Sequence, residues 1–490
     1  MSAEHPAPGH PPDDAIAAAA ARDADEYHLD LGPERRPLGW RGTLAIALAG
    51  LLVVVAGLAL GNALRPPGIV RADFDGAALI EQQGARVVLH LDRAVDRLAT
   101  KDVTVSPAAS FSVQRSGAAV TLTFPERLRY GTDYRVSLRV PDGKGGTSAT
   151  VEQSIRTPWP NVYTLLRDAP DPDADQILSR SVDGGATKVA FSAPRIAQYA
   201  VLPSQLAVAT LGDAGDATLQ LVTLPEGSSD TITTPQHASI DLLKSSGPSG
   251  LLGYTLTTPP GVEPALDHVL EFYDPTSSSG IGTAVTGLDG EPLSVLDYVW
   301  VPGTTSLVAQ ATDQSLLLID PTKSAKPVPL GAHGELRGFL PNTATVVVAD
   351  PDGGSTIDLT TGETTPLAVP EDGQPAEDYR GEVTVLDRAG RYVEVVSSPD
   401  FTRGATGFRV VLAGPDGGRV LYQPADDGSR IRQACLSPNA QYLAVEVVSP
   451  EGRSDDYPQT PSFTAISTNI VDVSSGAVAR GLPGFDPSWC

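Results

Sequence analysis

From residue 201 onward a tight turn followed by a strand recurs six times, and this spacing limits the fold more than any other feature of the 490-residue chain. The clearest copy is CLSPNAQYLAVEVV at 435–448. Ser437 suits the first turn position, Pro438 presets φ at the second, and Asn439 fits the third. Looser copies are VLPSQLAVAT, SGPSGLLGYT, WVPGTTSLVAQ, FLPNTATVVVA and LDRAGRYVEV. Anchored on Pro203, Pro248, Pro302, Pro341, Arg388 and Pro438, their gaps are 45, 54, 39, 47 and 50 residues. Third and fourth strands follow in each unit, as in SLLLIDPTKSAKPVPL and NIVDVSSGAVARGL. A period of about 40–50 residues with four strands per unit predicts an all-β fold with a β-propeller over residues 158–490.

The SPNAQYLAVE turn resembles the repeats of TolB-like and related WD40-like propellers, which carry Ser-Pro-Asp-Gly where Asn439 and Ala440 stand here. That resemblance gives meaning to the final residues, FDPSWC. In such repeats an inner strand often reads Pro-x-Trp before its turn. One further period beyond Pro438 lands near the chain end, inside the first strand of another unit. NVYTLLR, QILSRSV and TKVAFSA, just before the first repeat, read as strands two to four of a unit lacking its first. The C-terminal strand then completes a seventh blade, with Trp489 in the core; six against seven blades is otherwise open. Cys435 and Cys490 occupy nearly matching places in neighbouring units. In an oxidising compartment they are expected to form a disulfide, provided the inner strands approach closely enough.

Residues 66–157 hold seven short strand-like runs with period-2 alternation, separated by turn residues, which argues a β-sandwich. The run LRYGTDYRVSLRVPDGKGG…IRTP resembles bacterial Ig-like domains of the surface-layer type, at Leu128, Gly131, Thr132, Tyr134, Asp142, Gly143 and Thr157. The resemblance implies a spacer or adhesion module and carries no reaction.

Upstream, residues 42–64 (GTLAIALAGLLVVVAGLALGNAL) contain no charge and are long enough to cross a bilayer. Arg35, Arg36 and Arg41 before the segment slightly outweigh Arg65 and Arg71 after it, favouring the N-terminus inside. The expectation is a single-pass signal anchor with residues 66–490 outside the membrane. Residues 1–41 carry eight acidic side chains against four arginines and read as a disordered cytoplasmic tail. Across the chain 59 acidic residues face 35 Lys and Arg, so a nucleic-acid partner is not expected. The whole resembles membrane-anchored envelope proteins of Gram-positive, actinobacterial type.

No GxSxG elbow, HExxH or P-loop is present. Outside the tail the histidines are His90, His237, His268 and His333; the last three can share one propeller face, but no acidic residue stands at ligand spacing. Asp171, Asp173 and Asp175 begin like a calcium loop, which then lacks its glycine and its closing glutamate, with Val182 in that place. No cofactor or metal is expected.

The informative variation is in the loops joining strands two and three. SSPDFTRGATG (397–407), SPEGRSDDYPQTPS (449–462) and RDAPDPDAD (167–175) are long, polar and in neighbouring units. They are the candidate partner surface, centred on Asp171, Asp173, Arg403, Arg453, Asp455, Asp456 and Tyr457. The leading expectation is a non-catalytic envelope binding or scaffold protein whose partner is an envelope protein or a cell-wall glycan. An accessory sensor subunit of a signalling complex is a variant. The other class is a propeller hydrolase or lyase using its central channel; the apolar inner-strand stretches YAVLP, YVWVP and GFLP count against it.

Overall fold

A computed structural model describes residues 39–64, 68–95, 98–140, 149–167, 174–212, 215–277, 279–457 and 460–490. Residues 1–38, the Asp142–Gly143 turn, Asp171 and Asp173 lie outside the described residues. The chain divides into two units, Met1–Arg65 and Pro66–Cys490. The first holds a helix at Trp40–Leu64, long and apolar enough to cross a membrane. After it the described residues are all-β apart from short helical turns.

All seven strand-like runs of residues 66–157 are strands. They form a four-stranded sheet, in the order Ile69–Phe74, Ala85–Leu91, Ala119–Phe124, Ser112–Ser116, and a three-stranded one, in the order Val103–Ser106, Asp133–Val140, Ala149–Arg156. Burial alternates along Ala85–Leu91 and Asp133–Val140, so each sheet has one apolar face. Val87, Leu89, Leu122, Phe124, Val136, Leu138 and Ile155 join these faces in a single core, which makes a sandwich. Asp75-Gly76 is not the turn the dipeptide suggests. Asp75 caps a short helix, Gly76–Glu81, its carboxylate accepting from the amides of Ala77 and Ala78 at 2.9 and 3.2 Å.

Six four-stranded antiparallel sheets follow, each with its strands in chain order; numbered 1 to 6, they span 196–232, 239–284, 295–332, 335–366, 379–422 and 430–483. No sheet closes on itself. Each predicted first turn is a turn, closed by a backbone bond from Leu202, Ser246, Val301, Leu340, Leu386 or Ser437 to the start of the second strand. Second strands have both faces covered and do not alternate: every residue of Leu307–Ala311 and Tyr442–Val448 is buried, Gln310 and Glu446 included. Apolar clusters bridge neighbouring sheets, as where Leu386 and Val410 of the fifth region meet Leu443 and Val445 of the sixth.

Sheet 7, of Asn161–Leu166, Asp175–Ser181 and Gly184–Ala193, has three strands. The C-terminal residues run along its edge: Phe485 exchanges backbone hydrogen bonds with Leu165, and the Ser488 amide donates to Tyr163 at 3.0 Å. Phe485 is buried among Leu165, Ile177, Ile196, Leu206 and Val448, so sheet 7 shares a core with sheets 1 and 6. Cys435 and Cys490 are joined in a disulfide, with Cα atoms 5.6 Å apart. Trp489 is only partly buried, its ring 6.4 Å from Tyr130 of the sandwich and nearly parallel to it.

Candidate functional site

The chain path gives each of sheets 1 to 6 two distinct ends. One end carries the turns after the first and third strands; the other carries the hairpins after the second strand and the connections between sheets. The sandwich sits on the first end. Arg127 donates from its backbone and from Nη1 to Asn342 Oδ1 at 3.2 and 3.3 Å, in the first turn of sheet 4. The same Nη1 reaches the Pro438 carbonyl at 3.3 Å, in the first turn of sheet 6. Tyr130 donates its amide to Gln441 Oε1 at 2.7 Å, Asn439 donates to the Leu128 carbonyl at 3.0 Å, and the Tyr130 and Tyr442 rings stack. The Ser-Pro-Asn turn that signals the repeat is therefore the seat of the sandwich. The turns the sandwich covers belong to sheets 4 and 6.

Near the other end a bulge interrupts the first strand of each of sheets 1 to 6, between Ile196 and Gln198, Asp241 and Lys244, Val295 and Asp297, Leu336 and Gly338, Arg380 and Val383, and Ile431 and Gln433. A bulge re-aims a side chain. In the last three sheets the extra residues include Arg337, Glu382 and Arg432. The surrounding charges interlock. Lys244 Nζ binds Asp297 Oδ1 at 2.6 Å, Arg380 pairs with Asp372 and Glu394, and Arg432 binds Glu446 at 2.5 Å. Glu446 is fully buried and accepts the Asp486 amide at 2.6 Å. Burial and the Glu446 charge push the Asp486 carboxyl up to about 7. Burial also raises Glu382, against the pull of Arg337 and with the help of Glu335 and Asp297. This corrects the expectation of apolar inner strands. YAVLP, YVWVP and GFLP are the later halves of those strands; the charges lie in the earlier halves.

Between the first strands of sheets 5 and 6 lies a cavity of about 230 Å³, lined by Tyr379, Glu382, Ser397, Phe408, Arg432 and Gln433 among others. Its polar groups are largely unspent. Among the described residues the Tyr379 and Ser397 hydroxyls, the Gln433 amide and the Glu382 carboxylate have no hydrogen-bond partner, and Arg432 spends only Nη1. Ser397 is only 6% exposed, whereas Tyr379 is 53% exposed and Glu382 is exposed as well. A second cavity, of about 370 Å³, opens beside Arg388 at the sandwich end, but Arg388 is committed to Thr345 and Asp358.

The loop residues separate. Arg403 is exposed at the tip of a hairpin, because 397–407 extends the strands Tyr392–Asp400 and Gly404–Gly414 rather than forming a loop. Arg453 and Asp456 are exposed. Asp455 and Tyr457 turn inward, against the expectation of a free surface. They enclose Arg167, whose five N–H donors are all used: Nε on Ile196 O, Nη1 on Asp455 Oδ2 and Thr460 O, Nη2 on Ala197 O and Thr460 Oγ1, at 2.7–3.1 Å. The Tyr457 ring stacks on the guanidinium at 3.6 Å, and its hydroxyl donates to Asp175, which also accepts the Ile196 amide at 2.7 Å. Burial raises both Asp175 and Tyr457. The 449–462 loop is thus mainly a clamp on sheet 7 and the start of sheet 1. Nothing local in the sequence marked Arg167, since its partners lie 29 to 293 residues away.

His237, His268 and His333 each hold one carboxylate at 2.7 Å, on Asp216, Asp267 and Asp350; His90 meets Asp73 at 3.0 Å. Among the described residues no three ligating side chains gather for a metal.

No family model matches the sequence, and no curated protein matches it. Solved structures are similar at low identity. A prolyl endopeptidase is 11% identical, with 77% of this chain and 49% of that one covered and a TM-score of 0.42. TolB from Acinetobacter baumannii is 12% identical, covering 78% and 80%, at 0.34. The β-propeller domain of Cps50 from Myceliophteria thermophila is 12% identical, covering 60% and 87%, at 0.35.

Proposed function

We propose that this chain is a non-catalytic binding protein of a cell envelope, anchored by its apolar helix with the N-terminus inside. In this reading the sandwich is an Ig-like stalk, and the seven sheets are the blades of a propeller completed by residues 485–488. The partner, an envelope protein or a cell-wall component, is taken at the end facing away from the sandwich. The observation that carries the reading is the pocket between sheets 5 and 6, where polar groups converge without partners while the charges around them are paired. Such convergence is the mark of a ligand site. Ser397 has no histidine bonded to it among the described residues, which favours binding over acyl transfer. A photo-cross-linking residue at Tyr379 in living cells tests the reading. Capture of an envelope component from position 379, and not from the outer-strand position 478, is expected. Capture of cytoplasmic proteins, or equal capture from both positions, overturns it.

A further inference from the structure

We propose that the pocket between sheets 5 and 6 binds a small zwitterion of the amino-acid or short-peptide class, with its ammonium group on Glu382 and its carboxylate on Arg432 and Gln433. This rests on the binding reading of the same site and adds the ligand's chemistry.

Size and charge pattern together carry the inference. About 230 Å³ lies below the roughly 300–1,000 Å³ of sites for drug-sized ligands, so the cavity takes one or two residues rather than a long chain. Its walls present opposite charges from opposite strands: Glu382 from sheet 5 and Arg432 from sheet 6. The guanidinium keeps Nε and Nη2 after binding Glu446, a fork suited to a carboxylate. Glu382 has neither hydrogen-bond nor ion-pair partner among the described residues, and its surroundings disfavour the ionised form. An arriving ammonium group adds a direct counter-charge to the more distant pull of Arg337. A simple anion would meet Glu382, a simple cation would meet Arg432, and a neutral glycan would leave both uncompensated. The Ser397 and Tyr379 hydroxyls, which also line the cavity, can bond backbone amide groups, and Phe408 and Val395 add apolar lining for a side chain.

The test is titration calorimetry on the full chain in detergent, with four probes: glycyl-phenylalanine, its N-acetyl form, its C-terminal amide, and chitotetraose. The free dipeptide is expected to bind, with each capped form at least tenfold weaker. Glu382→Gln should bring the free dipeptide down to the affinity of the N-acetyl form and leave that form unchanged. The substitution breaks no bond, so the melting temperature should hold. Equal binding of capped and free dipeptides, or no dipeptide binding, overturns the zwitterion. Chitotetraose binding that is lost in Tyr379→Ala overturns the zwitterion but keeps the binding reading, whereas failure of that reading is seen in the cross-linking pattern.

Discussion

Leu165 donates its amide to the Phe485 carbonyl at 2.8 Å and accepts the Phe485 amide at 3.0 Å. The first strand after the sandwich is therefore paired with the last residues of the chain. Asp486, the next residue, is held from both sides: its amide on Glu446 of sheet 6, its carbonyl accepting the Tyr199 hydroxyl of sheet 1 at 2.5 Å. A three-stranded sheet would otherwise present an unpaired, apolar inner edge.

The disulfide locks this arrangement. Loss of the Cys435–Cys490 cross-link, with its separation of 55 residues, is expected to cost about 2–4 kcal/mol. In urea unfolding of the full chain, dithiothreitol should lower the midpoint of the wild type and leave Cys490→Ser unchanged. Identical midpoints for oxidised wild type and variant would mean that the cross-link adds nothing.

Arg167 and Asp455 are 5% and 10% exposed. Removing the cation strands a buried carboxylate, so Arg167→Met is expected to destabilise by about 3–5 kcal/mol. Adding Asp455→Asn should restore part of that loss. A double-mutant cycle measures the coupling, and simple additivity would refute the pairing.

Tyr130 ties the sandwich to sheet 6 through stacking on Tyr442 and Trp489. Tyr130→Ala removes a nearly buried ring at about 3–5 kcal/mol. Scanning calorimetry should then resolve two transitions where the wild type shows one. A single transition, merely shifted, would mean that other contacts suffice to couple the two parts.

Asp486 gives a pH dependence with a defined sign. Its carboxyl titrates near 7 in the folded protein, above its usual value of 3.8. Between about pH 4 and pH 7 the folded state binds the extra proton, so this group's contribution to stability falls as pH rises and is constant above. At about 1.4 kcal/mol per tenfold change the total is a few kcal/mol at most. Asp486→Asn should melt higher than wild type at pH 8 and about equally at pH 4; the left-handed backbone there, φ 54°, suits Asn as well as Asp. A difference that does not vary with pH would rule the group out. Asp350, held below its usual range by hydrogen bonds from His333 and Gly334, acts oppositely and only as pH falls below about 4.

The repeat was legible because each of its turns is a local event. Pro203, Pro302, Pro341 and Pro438 set φ and the strand follows at once, so residue types suffice to find the unit. The helix at Gly76–Glu81 was missed because Asp-Gly serves a turn and a cap equally well. The pocket was missed for another reason. Tyr379, Glu382, Arg432 and Gln433 carry no motif, and the bulges that re-aim Glu382 and Arg432 exist only in a paired strand.

By itself, then, the sequence determined the apolar helix, the strand content, the period and the two cysteines that pair. These depend on hydrophobic patterning, turn chemistry and composition, which act over a few residues. Only the tertiary structure decided that the Ser-Pro-Asn turn seats the sandwich, that Asp455 and Tyr457 turn inward on Arg167, and that Glu382 and Arg432 line one cavity. Those contacts join residues from 50 to more than 300 positions apart. Burial and desolvation fix their energies, and a chain has neither until its sheets have packed.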